Sequence, residues 1–200
     1  MKAELSAFHK IFSDAGSKNE PVIFLTDTIY GIGASVKNIE ANKKIFEIKG
    51  RESNKPFPVL VGSVEQAEEM AELNEHVKML MLNCPFPCTI IVKGKKNIHP
   101  LMMLNGNIAI RLVKTEPLKS FLNEYGAVTA TSANFSNSEP ASDIESLVNL
   151  FNTKVKFYLY GKNIKEQASA IVDFTLPLPQ IIRKSSIVSL DIIMSCANLC

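Results

Sequence analysis

The sequence lacks the features that would indicate a membrane protein or, by composition alone, a nucleic-acid-binding protein. Its apolar runs span only a few residues, far below the ~20 needed to cross a bilayer, and residues 1–10 contain no signal-peptide core or cleavage site. The 22 Lys and Arg residues are spread along the chain and the net charge is only +2, so there is no polybasic tail. We therefore expect a cytoplasmic protein with no membrane partner.

The common nucleotide-binding and nucleophile motifs are also missing. There is no G-x-x-x-x-G-K-S/T phosphate loop, and Gly31 and Gly33 are followed by Ala34, Ser35 and Val36, which do not complete a G-x-G-x-x-G fingerprint. The three histidines have no Cys or Asp partner at a recognisable spacing. The sequence therefore predicts neither a Walker site nor a Rossmann site, and no catalytic side-chain nucleophile.

Four cysteines form two C-x-x-x-C pairs, Cys84 with Cys88 and Cys196 with Cys200. This spacing is compatible with zinc ligands. One pair, however, flanks a P-F-P turn and the other stands at the end of the sequence, so reduced thiols are the preferred interpretation. No metal site is predicted.

The length and composition of the chain are those of one globular domain. With 200 residues, 46% hydrophobic and 21% charged, the chain can bury a sizeable core. Helical and strand periods alternate without a repeat or linker, which favours a mixed α/β (α+β) fold over residues 1–188, with 189–200 as a tail of uncertain structure.

Polar caps are predicted at Asn38, at Ser63 with Gln66, and at Ser142 with Glu145. The predicted helices cover residues 4–15, 39–48, 64–71, 76–82, 116–125 and 144–151, and the predicted strands 22–25, 59–61, 89–92, 108–113, 128–130, 155–159, 171–173 and 181–183.

A threonine-rich turn follows the first predicted strand. Four apolar residues, 22–25, lead into Thr26, Asp27 and Thr28, and then into Gly31 and Gly33. Short hydroxyl and carboxyl groups beside a closely approaching backbone can bind a small polar ligand. The alternative is an ordinary strand and glycine turn.

Two further polar clusters lie where helices or strands end. Lys49 and Arg51 bracket a glycine, so two cations can converge on an anion such as a triphosphate; alternatively they only complement the helix dipole. Ser132 and Asn134 can bind a phosphate or ribose oxygen, or cap a turn. Ligand sites in α/β proteins usually lie at strand ends.

Taken together, these clusters resemble the YrdC/TsaC family of threonylcarbamoyl-AMP synthases. That family has the ordered motifs P-T-D-T-x-Y-G-x-G, K-x-R followed by K-P, P-G-P-x-T, V-A-x-R, S-x-N, S-T-x-V-D and I-x-R. The matching residues here are Thr26 to Gly33, Lys49 to Arg51, Lys55-Pro56, Pro85 to Thr89, Ile108 to Arg111, Ser132 to Asn134, Ser169 to Asp173 and Ile181 to Arg183.

The resemblance implies a single-domain α/β (α+β) fold, a twisted open mixed sheet flanked by helices, with a concave, positively charged face. It also implies that L-threonine, bicarbonate and ATP, with Mg²⁺, react to threonylcarbamoyl-AMP and pyrophosphate. The product would serve N6-threonylcarbamoyladenosine formation at position 37 of tRNA. By the same resemblance, the partners would be tRNA, through the concave face, and a threonylcarbamoyl transferase complex.

The resemblance assigns site residues by position. Those implied around ATP are Lys49, Arg51, Lys55, Thr89, Ser132, Asn134 and Arg183. Those implied around threonine are Thr26, Thr28, Lys93 and Ser169. Arg111 belongs to the family's strand motif, without an assigned role.

Three positions depart from the family pattern in ways that bear on the site. Leu25 replaces a proline, Phe86 replaces the glycine of P-G-P, and Ala170 replaces a threonine. A side chain at Phe86 can fill space beside the nucleotide. These losses leave a second hypothesis open, a non-catalytic tRNA-binding or double-stranded-RNA-binding module of the same fold. A third hypothesis, a carbamoyl-adenylate step like that of hydrogenase maturation proteins, is disfavoured because the sequence has no acylphosphatase or zinc-finger part.

Overall fold

The computed structural model describes residues 1–50, 56–134, 143–151, 154–159, 168–185 and 189–199. Its α-helices are α1 (Lys2–Gly16), α2 (Ile39–Lys49), α3 (Val64–Met70), α4 (Glu75–Asn83), α5 (Leu118–Tyr125), α6 (Ile144–Phe151) and α7 (Leu190–Cys196). Its strands are β1 (Val22–Leu25), β2 (Tyr30–Gly33), β3 (Val59–Val61), β4 (Cys88–Lys93), β5 (Asn107–Leu112), β6 (Val128–Thr129), β7 (Thr131–Ser132), β8 (Phe157–Leu159), β9 (Ala170–Asp173) and β10 (Gln180–Arg183). A single 3₁₀ turn, Pro100–Met102, precedes β5.

The strands form two mixed sheets rather than one. Six strands are ordered β10-β9-β4-β5-β3-β6, and four are ordered β7-β2-β1-β8. Each sheet combines parallel pairs, such as β4 with β9 and β1 with β8, with antiparallel pairs. The predicted mixed α/β fold with flanking helices is therefore confirmed, with its strands divided between two sheets.

The segment around Ala130 explains this division. It was predicted as one strand, but β6 pairs with β3 of the large sheet, and β7 pairs with β2 of the small sheet. The two sheets approach closely here: the Thr129 amide donates to the Ala34 carbonyl, and a Cβ on Gly33 would overlap the Thr129 carbonyl. The requirement for glycine at this position is thus steric.

Aromatic packing attaches α1 and α5 to the small sheet. Phe12 lies with its ring centroid 5.1 Å from that of Phe24 on β1 and 4.8 Å from that of Phe121 on α5. All three rings are almost completely buried. Edge-to-face and tilted aromatic pairs of this kind each contribute about 0.5–1.5 kcal/mol beyond the area they bury. The apolar face predicted for residues 4–15 is therefore a core face.

The predicted helix caps are largely present. The Asn38 side chain accepts from the Ala41 amide at 3.0 Å, and the Ser63 hydroxyl accepts from the Gln66 amide at 3.3 Å. The Gln66 side chain, however, accepts from the Gly62 amide instead of closing a reciprocal box with Ser63. The predicted cap at Ser142 lies outside the described residues.

The C-terminal tail, left undefined by the sequence, contains a helix. The Ser189 hydroxyl accepts from the Ile192 amide at 3.3 Å and caps α7. This helix packs on α4, where Ile193 is fully buried and a ring nitrogen of His76 lies 2.9 Å from the Ala197 carbonyl. Within the described parts of the chain, no helix has the length and apolar character needed to span a membrane.

Candidate active site

The threonine-rich turn between β1 and β2 is a buried, hydrogen-bonded structure. The Thr26 hydroxyl donates to the Ile29 carbonyl at 2.7 Å and accepts from the Thr28 amide at 3.1 Å. It also lies 3.0 Å from the Thr28 hydroxyl. Thr26, Asp27 and Thr28 are each less than a tenth exposed. The Thr26 hydroxyl thus stabilises the turn, whereas the side chains of Thr28 and Asp27 point toward the neighbouring sheet.

Arg111 of β5 contacts two side chains of this turn. One guanidinium nitrogen donates to the Thr28 hydroxyl at 3.3 Å, and another lies 2.8 Å from an Asp27 carboxylate oxygen, as an ion pair rather than an aligned hydrogen bond. The Arg111 Nε–H has no hydrogen-bond partner among the described residues, although the side chain is only 7% exposed. A buried guanidinium with an unused donor is costly unless a ligand accepts from it.

A second cluster joins β4, β9 and β10. The hydroxyls of Thr89 and Ser169 lie 2.8 Å apart, and both residues are buried. Arg183 donates through Nε to the Ser169 carbonyl at 2.9 Å and through Nη2 to the Ser169 hydroxyl at 3.2 Å. Three of the residues predicted to contact substrates therefore form one hydrogen-bonded group.

Strand register brings this second cluster beside Arg111. Ile90 of β4 is opposite Ile110 of β5 in an antiparallel pair, so Thr89 and Arg111 are the next residues on adjacent strands. The charge of Arg111 contributes to lowering the pKa of Arg183, after the larger effect of burial. Burial also lowers the pKa of Arg111, although the Asp27 carboxylate opposes this effect. Two cations that repel each other thus lie in this part of the structure, and only Arg111 is paired with a carboxylate, that of Asp27; an anionic ligand would stabilise this arrangement.

Lys49 builds the third cluster. At the end of α2 it is 4% exposed, and its ammonium donates to the Ser132 carbonyl at 2.6 Å, the Asn134 carbonyl at 2.8 Å and the Asn134 side-chain oxygen at 3.0 Å. The Ser132 hydroxyl donates to the same Asn134 side-chain oxygen at 2.7 Å. Lys49 therefore holds the S-x-N turn in shape.

The pairing of β2 with β7 places this turn next to the threonine-rich turn. Ser132 is opposite Gly31, and the Ala133 amide donates to the Tyr30 carbonyl at 2.9 Å. The three clusters therefore come from both sheets and are connected through β2, β5 and β4.

Three predicted site residues are not brought into these clusters. Arg51 and Lys55 lie outside the described residues. Lys93 stands at the far end of β4 from Thr89, opposite Asn107, and its exposed ammonium lies 3.0 Å from Glu72. Its predicted contact with threonine has no support in this placement and stays a prediction.

Two residues missing from the sequence-based set belong to the site. Arg111 was recognised as a charged residue within an apolar strand, and Asp27 as part of the turn, but neither was assigned a ligand. For Arg111, the signal is the buried position that its strand pattern predicts; Asp27 lies in the turn after β1, and only the structure shows that it is buried. A charge at such a position requires a partner or a ligand.

Phe86, the residue that replaces a motif glycine, is half-buried against the apolar cluster that contains Cys84 and Cys88. Ala170 is fully buried opposite Cys88. Both substitutions are therefore accommodated by packing in the large-sheet core.

The clusters offer hydroxyls and cations but few carboxylates. In the stretches that the structure describes, no three His, Cys, Asp or Glu side chains lie close enough together to hold a metal ion. The chemistry that the site can perform is binding, alignment and charge neutralisation.

Comparison with known proteins identifies the family of this chain. The family model for Sua5, YciO and YrdC, described as "Telomere recombination", matches residues 14–185. The chain belongs to the Sua5/YciO/YrdC family. The resemblance to YrdC-type proteins seen in the motifs is thereby confirmed.

Relatives in this family are named for one reaction. A Methanocaldococcus jannaschii protein, provisionally named as a threonylcarbamoyl-AMP synthase, is 34% identical over 155 residues, or 76% of this chain and 72% of its own. The threonylcarbamoyl-AMP synthase of Pyrococcus abyssi is 30% identical over 168 residues, covering 81% of this chain and 49% of its own. The chain described here therefore aligns with only about half the length of the P. abyssi enzyme.

A solved structure of P. abyssi Sua5 complexed with L-threonine has the same fold. It superposes with a TM-score of 0.79 at 27% identity, over 88% of this chain and 54% of that one. This chain thus shares its fold with about half of a protein whose structure contains L-threonine.

Proposed function

We propose that the protein is a threonylcarbamoyl-AMP synthase, an enzyme of the nucleotidyltransferase class that converts L-threonine, bicarbonate and ATP to threonylcarbamoyl-AMP and pyrophosphate. The observation that carries this proposal is the buried Arg111, which pairs with Asp27 and has an Nε–H without a partner among the described residues, beside the hydrogen-bonded group around Arg183. Such a site needs an anion that also has polar groups. The names of the relatives and the Sua5 complex with L-threonine support an amino acid in that role.

The amino-acid end of the site is proposed at Arg111. The Nε–H and the guanidinium face of this residue would receive the threonine carboxylate, and the Thr28 and Ser169 hydroxyls would bind its remaining polar groups. Thr26 would act one step away, by shaping the turn that presents Thr28.

The nucleotide end is proposed along the S-x-N turn. Ser132 and Asn134, held by Lys49, would contact phosphate oxygens. Thr89 and Arg183, on β4 and β10, are proposed as ATP ligands on the strength of their motifs. Arg51 and Lys55 are proposed as additional phosphate ligands on the strength of their motifs. Lys93 remains a weaker candidate for the threonine end because of its distance from the clusters.

The reaction that we propose needs no enzyme nucleophile. The threonine amine forms a carbamate with bicarbonate-derived carbon dioxide, a carbamate oxygen attacks the α-phosphorus of ATP, and pyrophosphate leaves. Alignment of the two reactants and cations placed at the phosphates account for catalysis of such a step. The two ends of the site, one from each sheet, would hold the carbamate against the nucleotide.

Mg²⁺ is proposed as part of the ATP substrate. Asp27 is the carboxylate in the described clusters, and it is already paired with Arg111. The described residues therefore do not form a protein cage for the ion, and phosphate oxygens and water would supply its ligands. The ion would neutralise charge on the phosphates.

We also propose which proteins would use the product. Threonylcarbamoyl-AMP would pass to a transferase complex that modifies tRNA in the cytoplasm, and tRNA would contact the concave face of the enzyme. The relatives named as synthases support the first step only.

Pyrophosphate release tests the proposal. Folded protein with ATP, Mg²⁺, bicarbonate and labelled L-threonine should release pyrophosphate and form a labelled adenylate only when threonine and bicarbonate are both present. Arg111→Gln should weaken threonine binding about 30-fold or more, since removing one partner of a buried charge pair costs about 2–5 kcal/mol. Lys43→Gln, on the exposed face of α2, is the matched control and should behave as the parent.

Because Arg111→Gln leaves Asp27 buried without its partner, Asp27→Asn combined with Arg111→Gln separates folding from binding. The double variant should regain stability but not threonine affinity. Folded protein that releases no threonine-dependent pyrophosphate would overturn the proposed function. Salt-dependent tRNA binding without threonine or ATP binding would favour the RNA-binding hypothesis instead.

A further inference from the structure

The C-terminal end of α4 is held by a lysine that follows β5. Lys114 is the second residue after that strand, and its ammonium donates to the Leu82 carbonyl at 2.8 Å and to the Cys84 carbonyl at 2.6 Å. Carbonyls at the end of a helix lack a partner within the helix, and a cation beside them also complements the helix dipole. The exposed Lys114 therefore caps α4 from the surface.

The sequence after α4 explains why this helix end needs a donor from elsewhere. The helix ends at Asn83, and the chain then passes through a P-F-P turn into β4. Pro85 and Pro87 have no backbone N–H, so they cannot donate to the Met81 and Asn83 carbonyls as further helical residues would. The last carbonyls of the helix are therefore available to a side-chain donor, and Lys114 is that donor for two of the carbonyls at this end.

The P-F-P turn leads directly into one cluster of the candidate active site. At the end of the turn, the Pro87 carbonyl accepts from the Ala170 amide of β9 at 3.0 Å. Two residues further along, the Thr89 hydroxyl lies 2.8 Å from the hydroxyl of Ser169, which directly precedes Ala170. The turn is thus held at both ends, by Lys114 on the side of α4 and by β9 on the side of the cluster.

We propose that Lys114 is a positioning residue of the candidate active site, which holds the P-F-P turn so that Thr89 lies beside Ser169 and Arg183. This role rests on the proposed function, in which Thr89 and Arg183 bind ATP. Lys114 lies outside the motifs that identify the family, and it acts through the backbone of the turn. A displacement of about 1 Å in a substrate-binding group can cost up to about 100-fold in rate, so a contact at the surface can affect the reaction.

A purely stabilising cap would have different consequences from a positioning residue. If Lys114 only stabilised α4, its loss would lower the stability of the fold and leave the affinities of the folded protein unchanged. If Lys114 positions the turn, ATP affinity falls in protein that stays folded. L-threonine, proposed to bind at Arg111 on β5, should then bind nearly as well as before.

Calorimetric titration of folded Lys114→Met with ATP and, separately, with L-threonine tests the proposal. We expect ATP to bind about tenfold more weakly, and L-threonine with an affinity within about threefold of the parent. The value of kcat/KM for ATP in pyrophosphate release should fall at least as much as ATP affinity. Lys114→Arg keeps a cation with several donors and should restore most of the ATP affinity. Lys96→Met, in the exposed turn after β4, is the matched control and should behave as the parent.

Two buried cysteines report on the turn independently of activity. Cys84 and Cys88 flank the turn and are 2% and 8% exposed. In folded Lys114→Met, N-ethylmaleimide should alkylate both thiols about fivefold faster than in the parent, because local opening of the turn exposes them. Mass spectrometry of tryptic peptide 79–93, which contains both thiols, gives the rates. Lys96→Met should leave these rates unchanged.

Unchanged ATP affinity in folded Lys114→Met would overturn the proposal. Equal losses of ATP and L-threonine affinity would also overturn it, since they would show a general loss of native structure. Unchanged alkylation of Cys84 and Cys88 would show that Lys114 does not hold the turn. A parent protein that binds no ATP would overturn the proposed function together with this role, so titration of the parent distinguishes the two failures.

Discussion

At the scale of single residues, Lys49 shows how a motif lysine can act on a site through the backbone. Its three ammonium donors are matched by two carbonyls and one side-chain oxygen of the S-x-N turn. A phosphate bound by this turn would therefore depend on Lys49 mainly through the position of Ser132 and Asn134. Lys49 is thus a positioning residue in the proposed enzyme.

Replacing Lys49 by methionine should lower both stability and ATP affinity. The buried acceptors would lose a charged donor, so we expect the free energy of unfolding to fall by about 3 kcal/mol and ATP binding to weaken about tenfold or more. Urea unfolding and calorimetric titration with ATP would measure the two effects.

Lys44→Met is the matched control, because Lys44 lies on the same helix in a half-exposed ion pair with Glu20. It should change the free energy of unfolding by less than about 1 kcal/mol. Unchanged ATP affinity in folded Lys49→Met protein would remove the phosphate role. Full stability with weak ATP binding would instead indicate that Lys49 contacts the phosphate directly.

For Arg111, the sequence predicted a charge within an apolar strand but not the partner of that charge. The strand pattern showed that a charge interrupts apolar neighbours, and the motif resemblance placed Arg111 in the family. Its partner, Asp27, lies 84 positions away in the chain, and no local signal specifies such a pairing. Only the packing of the two sheets identifies the ion pair and the unused Nε–H.

At the scale of secondary-structure elements, a buried polar contact attaches α2 to β6. The Thr129 hydroxyl lies 2.5 Å from the Asn42 side-chain oxygen and accepts from the Ala34 amide at 3.2 Å. The Asn42 amide donates to the Ser35 and Asn38 carbonyls, both at 2.8 Å. Since α2 carries Lys49 and β6 leads into the S-x-N turn, this contact aligns two parts of the candidate site.

Thr129→Val should test this contact without a change in volume. The Asn42 oxygen would lose its donor, and we expect a loss of about 1–3 kcal/mol in the free energy of unfolding. A double-mutant cycle with Asn42→Ala should give a coupling free energy of about 1 kcal/mol, measured by urea unfolding. Thr131→Val, on the adjoining strand β7, provides the control and should cost less than about 1 kcal/mol. Additive effects of the two main substitutions would show that the contact contributes nothing of its own.

At the scale of the whole molecule, α7 extends the core of the large sheet. Ile193 is fully buried in the same core cluster as Val77, Leu80 and Met81 of α4. The C-terminal segment is therefore structural rather than a separate tail in the residues that the structure describes.

Ile193→Ala should destabilise the protein by about 2–4 kcal/mol, because it removes a buried aliphatic group and leaves a cavity. Leu190→Ala, on the exposed side of the same helix at 48% exposure, should cost less than about 1 kcal/mol. Chemical denaturation followed by circular dichroism compares the two. Equal small losses would show that α7 does not contribute to the core.

The helices and strands were largely predictable because their signals are local. The apolar period of residues 4–15, the Asn38 cap and the β-branched runs at 89–92 and 108–113 each act within a few residues. The crossing at Ala130 was not predictable, because an extended segment carries no signal for which sheet it joins. Likewise, Lys93 could be placed on a strand but not separated from the site until the register was known.

The sequence by itself determined the elements, the turn at Thr26–Thr28 and the ordered motifs that assign the chain to its family. The tertiary structure decided which of these groups meet: Arg111 with Asp27, Thr89 with Ser169, and Lys49 with the S-x-N turn. The physical reason is the separation along the chain over which each kind of interaction acts. Hydrogen bonds and periodic burial within an element involve near neighbours in the chain, whereas strand register and sheet packing result from the core as a whole.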